Sequence, residues 1–295
     1  MRTWRWLVMV LGIGYVLGII AYGISTSGGE AIGDATSGVA PGQVSVSISP
    51  MSIAAEQGTM TVSVTVAADA SRLDASGGLA NPIGLTMEPV LEAGLLILDK
   101  GTVPGTFQRT IRIPGNVRNY PFDDYRTTLV VAAAENQNGS WQPLTVVGGL
   151  TRDDLTGWGI SAATAEAGEG AEVDADSAQV FKAGPGALSL DLVLTRSMPT
   201  KSVSLVTLAL MAAIGILALV AVRAVATRRR KQEMTMTSWF AALIFALLPL
   251  RLGLPGAPPL GSWIDVLVYF WVLIAVMVGL VWWILVWLRS GPKAE

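Results

Sequence analysis

The chain contains neither cysteine nor histidine. Without cysteine, no disulfide can staple a domain outside the cell, so any such domain must stand on its own apolar core. Without histidine, the usual zinc sites and the Ser-His and Cys-His nucleophile pairs are excluded. Charge is also scarce. Only 14% of the 295 residues are Asp, Glu, Lys or Arg, against roughly 25% in an ordinary soluble domain. The hydrophobic share is 52%, and it is bunched.

Four apolar runs stand out, at residues 6–24, 203–222, 238–254 and 264–288. Each is about 17–25 residues long, enough to cross a hydrocarbon core of roughly 30 Å as a helix. Four such runs argue against buried helices of a soluble protein. The first could also be a signal peptide, but it exceeds the usual apolar core of about 7–15 residues. It also carries Tyr15 and Tyr22, and no A-x-A site follows it. An uncleaved anchor is expected.

Basic residues set the expected orientation. Arg2 and Arg5 precede the first run, Arg223, Arg228, Arg229, Arg230 and Lys231 lie between the second and third, and Arg289 and Lys293 follow the fourth. The link between the third and fourth runs has none. The positive-inside rule then puts both termini and loop 223–233 in the cytoplasm of a plasma-membrane protein. Arg228, Arg229, Arg230 and Lys231 read as topology markers or contacts to anionic headgroups, not as a nucleic-acid patch.

Between the first two runs the pattern changes. Residues 25–42 are rich in Gly, Ser, Thr and Ala, the composition of a flexible tether. Then Val44, Val46 and Ile48 alternate with serines, and Met60, Val62, Val64 and Val66 with Thr and Ser. Phe107, Ile111 and Ile113 share one parity, and Leu188, Leu190, Leu192 and Leu194 form a last row. Period two means one buried face and one wet face. The expected fold class is therefore membrane α+β. An antiparallel, extracytoplasmic β-sandwich of roughly seven to nine strands spans residues 43–198, beside one N-terminal and three C-terminal transmembrane helices, the last three within 199–295. Trp282, Trp283 and Trp287 read as an interfacial belt. Gly14/Gly18 and Ala275/Gly279 are small pairs suited to helix packing.

Residues 164–177 hold Glu166, Glu169, Glu172, Asp174 and Asp176, but their spacing does not match an EF-hand loop. A solvated hairpin loop is the expected reading, and no metal or cofactor site is anticipated.

Two constellations are candidate sites. The first is Asn119 followed by Tyr120, Pro121, Phe122, Asp123, Asp124, Tyr125 and Arg126, just before a strand expected over 127–133. Adjacent carboxylates on an extended chain point to opposite faces, so Asp123 and Asp124 form no catalytic dyad unaided. A packed turn is the expected reading of the stretch: Pro121 fixes the backbone, Phe122 fills the core, and an aspartate caps amides or pairs with Arg126 or Arg118. The second is Arg251, which closes the third run, with Asp265, which opens the fourth. An arginine at that depth needs a partner, and Asp265 is the obvious one. The pair reads as a staple of the helical hairpin or as a lipid-headgroup site, and Arg196 and Asp191 are candidates for the same layer.

The Tyr120–Tyr125 stretch, with Pro114-Gly115-Asn116 before it, resembles the Tyr-Pro-Phe-Asp-x-Tyr segment of the membrane family called domain of unknown function 4436. Thr195-Arg196-Ser197, the run from Leu243 to Arg251, and the Pro-Gly-rich link ending in Asp265 are also similar to that family. The resemblance implies an envelope protein of actinobacteria or fungi with a β domain and membrane spans. It brings no catalytic residues.

The spans contain no Asp, Glu, His or Lys near a midplane, as pumps and coupled transporters require, and the two halves of the chain do not repeat. The leading expectation is a non-enzymatic envelope protein whose outer domain binds a protein partner or lipid, as an accessory or scaffold subunit. A ligand-gated-channel-like pore is the alternative, because a Pro-Phe-Asp loop in a β domain followed by spans echoes such channels. A membrane enzyme using Asp123 or Asp124 is the third reading.

Overall fold

A computed structural model describes residues 42–92, 94–151, 155–165, 186–227 and 235–290. The expected first span, the tether, the acidic segment from Glu166 onward and Arg228 to Lys231 lie outside the described residues. The chain divides into two compact units. Of the described residues, one comprises those up to Asn116 and those from Asp124 to Thr195, and the other residues 117–123 and those from Arg196 onward.

The described residues of the first unit form a nine-stranded sheet that curls on itself. Strand β1 (Gln43–Ala54) pairs antiparallel with β2 (Thr59–Ala68), setting Val46 against Val66 and Ile48 against Val64. β2 pairs in turn with β5 (Thr106–Arg112). β3 (Ile83–Glu88) lies between β4 (Leu95–Leu98) and the long β6 (Asp124–Gln137). β6 continues through Asn138 and Gly139 into β7 (Ser140–Leu150). Both turn residues have positive φ, at 54° and 88°, as a tight hairpin whose twist matches its strands requires.

β7 produces the curl. Residues 140–144 run antiparallel to β6, while Thr145–Leu150 run parallel to β1. The sheet is thus not purely antiparallel, as alternation alone suggested, because one strand serves two neighbours of opposite direction. At the crossing Gly148 has φ 141°, and a Cβ there would overlap the Val46 carbonyl. β9 (Leu188–Arg196) pairs with the first half of β6, and β8 (Trp158–Ala165) pairs with β9. The alternating residues of the sequence form the core: Val44, Val46, Ile48, Met60, Val62, Ile111, Leu129 and Leu190 are all buried. Each such side chain contributes about 1.5–3 kcal/mol.

Among the described residues, the second unit contains three helices long and apolar enough to cross a membrane. α1 runs Met198–Ala226, α2 Thr235–Leu252, and α3 Phe270–Ser290 after a π-helical turn at Asp265–Tyr269. α1 begins five residues before its apolar run. The Ser197 hydroxyl accepts from the Thr200 N–H at 3.4 Å and a proline sits in the first turn, so capping and not hydrophobicity sets that end. Inward positions recur at helical spacing: Met211, Ala218 and Val222 on α1, Phe240 and Leu247 on α2, Val272, Val276 and Trp283 on α3. Trp283 is therefore not part of an interfacial belt. It packs at 6.0 Å from the Phe240 ring, while Trp282 and Trp287 face outward. Gly279 lies against that same Phe240, where a small residue lets the helices approach.

Candidate functional site

The helical unit carries a layer of buried charge at one end. Arg251, in the last turn of α2, donates from Nε to Asp265 Oδ1 at 3.0 Å and from Nη2 to Oδ2 at 2.9 Å. Such a fork-to-carboxylate contact is the strongest geometry open to the two groups. Nη2 also reaches the Pro259 carbonyl at 3.1 Å. Asp265 accepts further from the Gly261 N–H at 2.8 Å and from Ser262 at 3.5 Å. Arg251 is 4% exposed and Asp265 is fully buried.

A second pair lies in the same unit. Arg196, just ahead of α1, donates from Nε to both oxygens of Asp123, at 3.2 and 3.1 Å, with both side chains buried. Asp123 comes from the short segment 117–123 between β5 and β6, which belongs with the helices. The sequence suggested a β-sandwich over residues 43–198; the compact units divide at Thr195/Arg196, and residues 117–123 group with the helices.

Tyr120 ties the segment in. Its hydroxyl is 2.6 Å from Ser204 Oγ and donates to the Pro255 carbonyl at 2.6 Å. Ser204 donates in turn to Thr200 O at 2.7 Å. The Arg196 guanidinium lies 5.3 Å from the Tyr120 ring centre, a cation–π contact in a dry setting. Leu254, Ile264 and the half-buried Leu208 complete the apolar surround. Burial pushes the Tyr120 phenol above its ordinary value, and Asp123 adds to the rise; Ser204 and the two arginines oppose it. The phenol stays neutral and serves as a hydrogen-bond donor. Gly256 closes the site with φ 76°, and a Cβ there would overlap the Arg196 guanidinium.

Tyr120→Phe removes one donor, leaves the Pro255 carbonyl without it and takes the phenol oxygen away from Ser204 Oγ. The expected cost is about 1–3 kcal/mol, read as a lowered unfolding midpoint in detergent; an unchanged midpoint would show that water replaces the phenol.

The candidate residues separate clearly. Tyr120, Pro121, Asp123, Arg196, Arg251 and Asp265 are buried in the helical unit. Tyr125 is buried in the β unit, 5.6 Å edge-on from Trp158. Phe122 does not fill a core; it is 62% exposed. Asp124 and Arg126 pair with each other at 3.2 Å on the surface. Asp191 is not in the layer, because it is in the β unit and accepts from Thr128 at 2.6 Å. The pairing of Asp123 with Arg196, 73 positions on, has no local signature.

Sequence reading also missed Glu135, buried in β6 and bonded to Arg72, to Asn81 at 3.1 Å and to Gln137 at 3.0 Å. Burial works to raise its carboxyl, but Gln137, Asn81 and Arg72 outweigh burial and hold it below the ordinary value. No group of three or more potential metal ligands occurs among the described residues.

A curled β unit, an apolar helical unit and a buried Arg–Asp layer define a β-domain protein with candidate membrane spans. Residues 34–179 are a domain of unknown function of the DUF4436 family. Residues 196–290 match a second family model, another domain of unknown function, DUF8686. The helical stretches compared above with the first family thus fall to a separate model, whose start coincides with the unit boundary. No curated protein matches the chain.

Proposed function

We propose that the protein is a non-enzymatic, multi-pass membrane protein of the cell envelope. Its β domain, a sandwich outside the plasma membrane, binds a protein partner or lipid as an accessory or scaffold subunit. Both termini and loop 223–233 lie in the cytoplasm.

The observation that carries this reading is the state of the charged layer. Each of the two carboxylates in this layer, Asp123 and Asp265, is held by an arginine from another part of the chain. Groups engaged in this way hold a structure together; a proton relay or general base must exchange partners. The helices support the anchoring role. Only 17–22% of each candidate span is buried within the protein, and side chains such as Ile216, Phe245 and Trp271 face outward. That surface suits acyl chains or a partner's helices.

The test is purification of the native protein from its own membranes in mild detergent. A protein or lipid should be retained at fixed stoichiometry; a bare monomer would refute the scaffold role. Steady conductance of the reconstituted protein would favour the pore instead. Topology is checked independently by Val103→Cys, a position 66% exposed in a chain without cysteine. An impermeant maleimide should label it in intact cells, and labelling only after lysis would place the β domain inside.

A further inference from the structure

We infer that the segment around Phe122, although it connects two strands, is an interfacial membrane element. Phe122 and Trp263 form an apolar patch that enters the headgroup–acyl boundary of the outer leaflet, and Leu260, three residues before Trp263 on the same link, enters with them. This rests on the reading that α1 to α3 cross a bilayer, and it assigns to the lipid surface a segment that sequence order places in the outer domain.

Three observations support it. The patch is joined through Asn119: its carbonyl accepts from the Phe122 N–H at 2.9 Å, and its Oδ1 accepts from Trp263 Nε1 at 3.0 Å. Phe122, Trp263 and Leu260 are nonetheless 62%, 54% and 79% exposed. Polar ends are thus satisfied by the protein while apolar faces point away from it, which suits the interfacial zone.

The second observation is depth. Counting back from Arg223 at the cytoplasmic end of α1, about 20 residues at 1.5 Å each rise roughly 30 Å and arrive at Val203. The Tyr120 hydroxyl touches the next residue, Ser204, at 2.6 Å. Phe122 follows two positions after Tyr120, so it lies near the outer limit of the hydrocarbon.

The third observation is rigidity. The Tyr120 hydrogen bonds and the Asp123–Arg196 pair flank Phe122 on both sides and fasten the segment to the helix ends. Lys201, in the first turn of α1 and two residues before Val203, supplies a cation that lipid phosphates would meet at this depth.

The absence of cysteine makes the test clean. Phe122→Cys and Leu260→Cys, both at exposed positions, are labelled with a polarity-sensitive dye and reconstituted into phosphatidylcholine–phosphatidylglycerol vesicles. The lipids carry bromine either near the headgroup or near the chain end. Ile216→Cys, at 62% exposure within α1, is the deep reference, and the free dye–cysteine adduct is the aqueous one. Both patch labels should be quenched roughly twofold more by shallow than by deep bromines, as for groups about 5–10 Å into the interface. Iodide should quench them less than the free adduct. If Ile216 responds to lipid while the patch labels show full iodide access, or are shielded from lipid and iodide alike, the inference is overturned and the spanning reading stands. If Ile216 itself fails to respond to lipid, the spanning reading fails and takes this inference with it.

Discussion

Asp265→Ala should lower the stability of the helical unit by about 3–5 kcal/mol, the range for removing one partner of a buried ion pair. The arginine left behind causes most of the loss. Arg251 is 4% exposed and would retain only the Pro259 carbonyl at 3.1 Å. The Gly261 N–H and the Ser262 hydroxyl would lose their acceptor as well, so the link between α2 and α3 should loosen. Asp265→Asn, which keeps the shape but not the charge, should fall between. The double variant Arg251→Met, Asp265→Leu should recover most of the loss, because apolar groups of similar size often replace a buried pair at little cost. Tryptophan fluorescence during SDS or urea unfolding in micelles provides the double-mutant cycle. A single-variant loss below about 1 kcal/mol, the surface-pair value, would show that water reaches the layer. A folded double variant that no longer retains a co-purifying lipid would reveal a headgroup role for the pair.

The neighbouring carboxylates Asp123 and Asp124 should respond very unequally. Asp123→Ala strands the buried guanidinium of Arg196 and should cost about 3–5 kcal/mol. Much of that should appear locally, as release of segment 117–123 from the helices. A local loss of about 3 kcal/mol speeds amide exchange there by roughly a hundredfold. Asp124→Ala removes only an exposed contact to Arg126, whose side chain is 74% exposed, and should cost about 0–1 kcal/mol. Hydrogen–deuterium exchange of both variants decides the matter. Equal effects would mean that the Asp123–Arg196 pair contributes no more than a surface bridge.

The contrast between these two residues illustrates what was legible in advance. That adjacent carboxylates point to opposite faces follows from strand geometry alone. Which one turns inward, and toward which cation, depended on a residue 73 positions away. The pairing of Arg251 with Asp265 was more accessible, since only a short Pro-Gly link separates helix ends that must lie side by side. Phe122 misled for a related reason. Its apolarity suggested a core position, yet Tyr120, with a hydroxyl to satisfy, took the buried place beside Ser204 and Pro255.

Several properties were determined by the sequence by itself. They are the membrane-length apolar helices, the strands read from period-two alternation, and the exclusion of histidine and cysteine chemistry. Each is a local or compositional property that needs no partner to be recognised. Tertiary structure alone decided three others: the curl made by β7 serving two neighbours, the transfer of segment 117–123 to the helical unit, and the coupling of Arg196 to Asp123. These depend on which distant groups meet in a dry interior. Desolvation makes an unpaired charge so costly there that the fold is built around its partner.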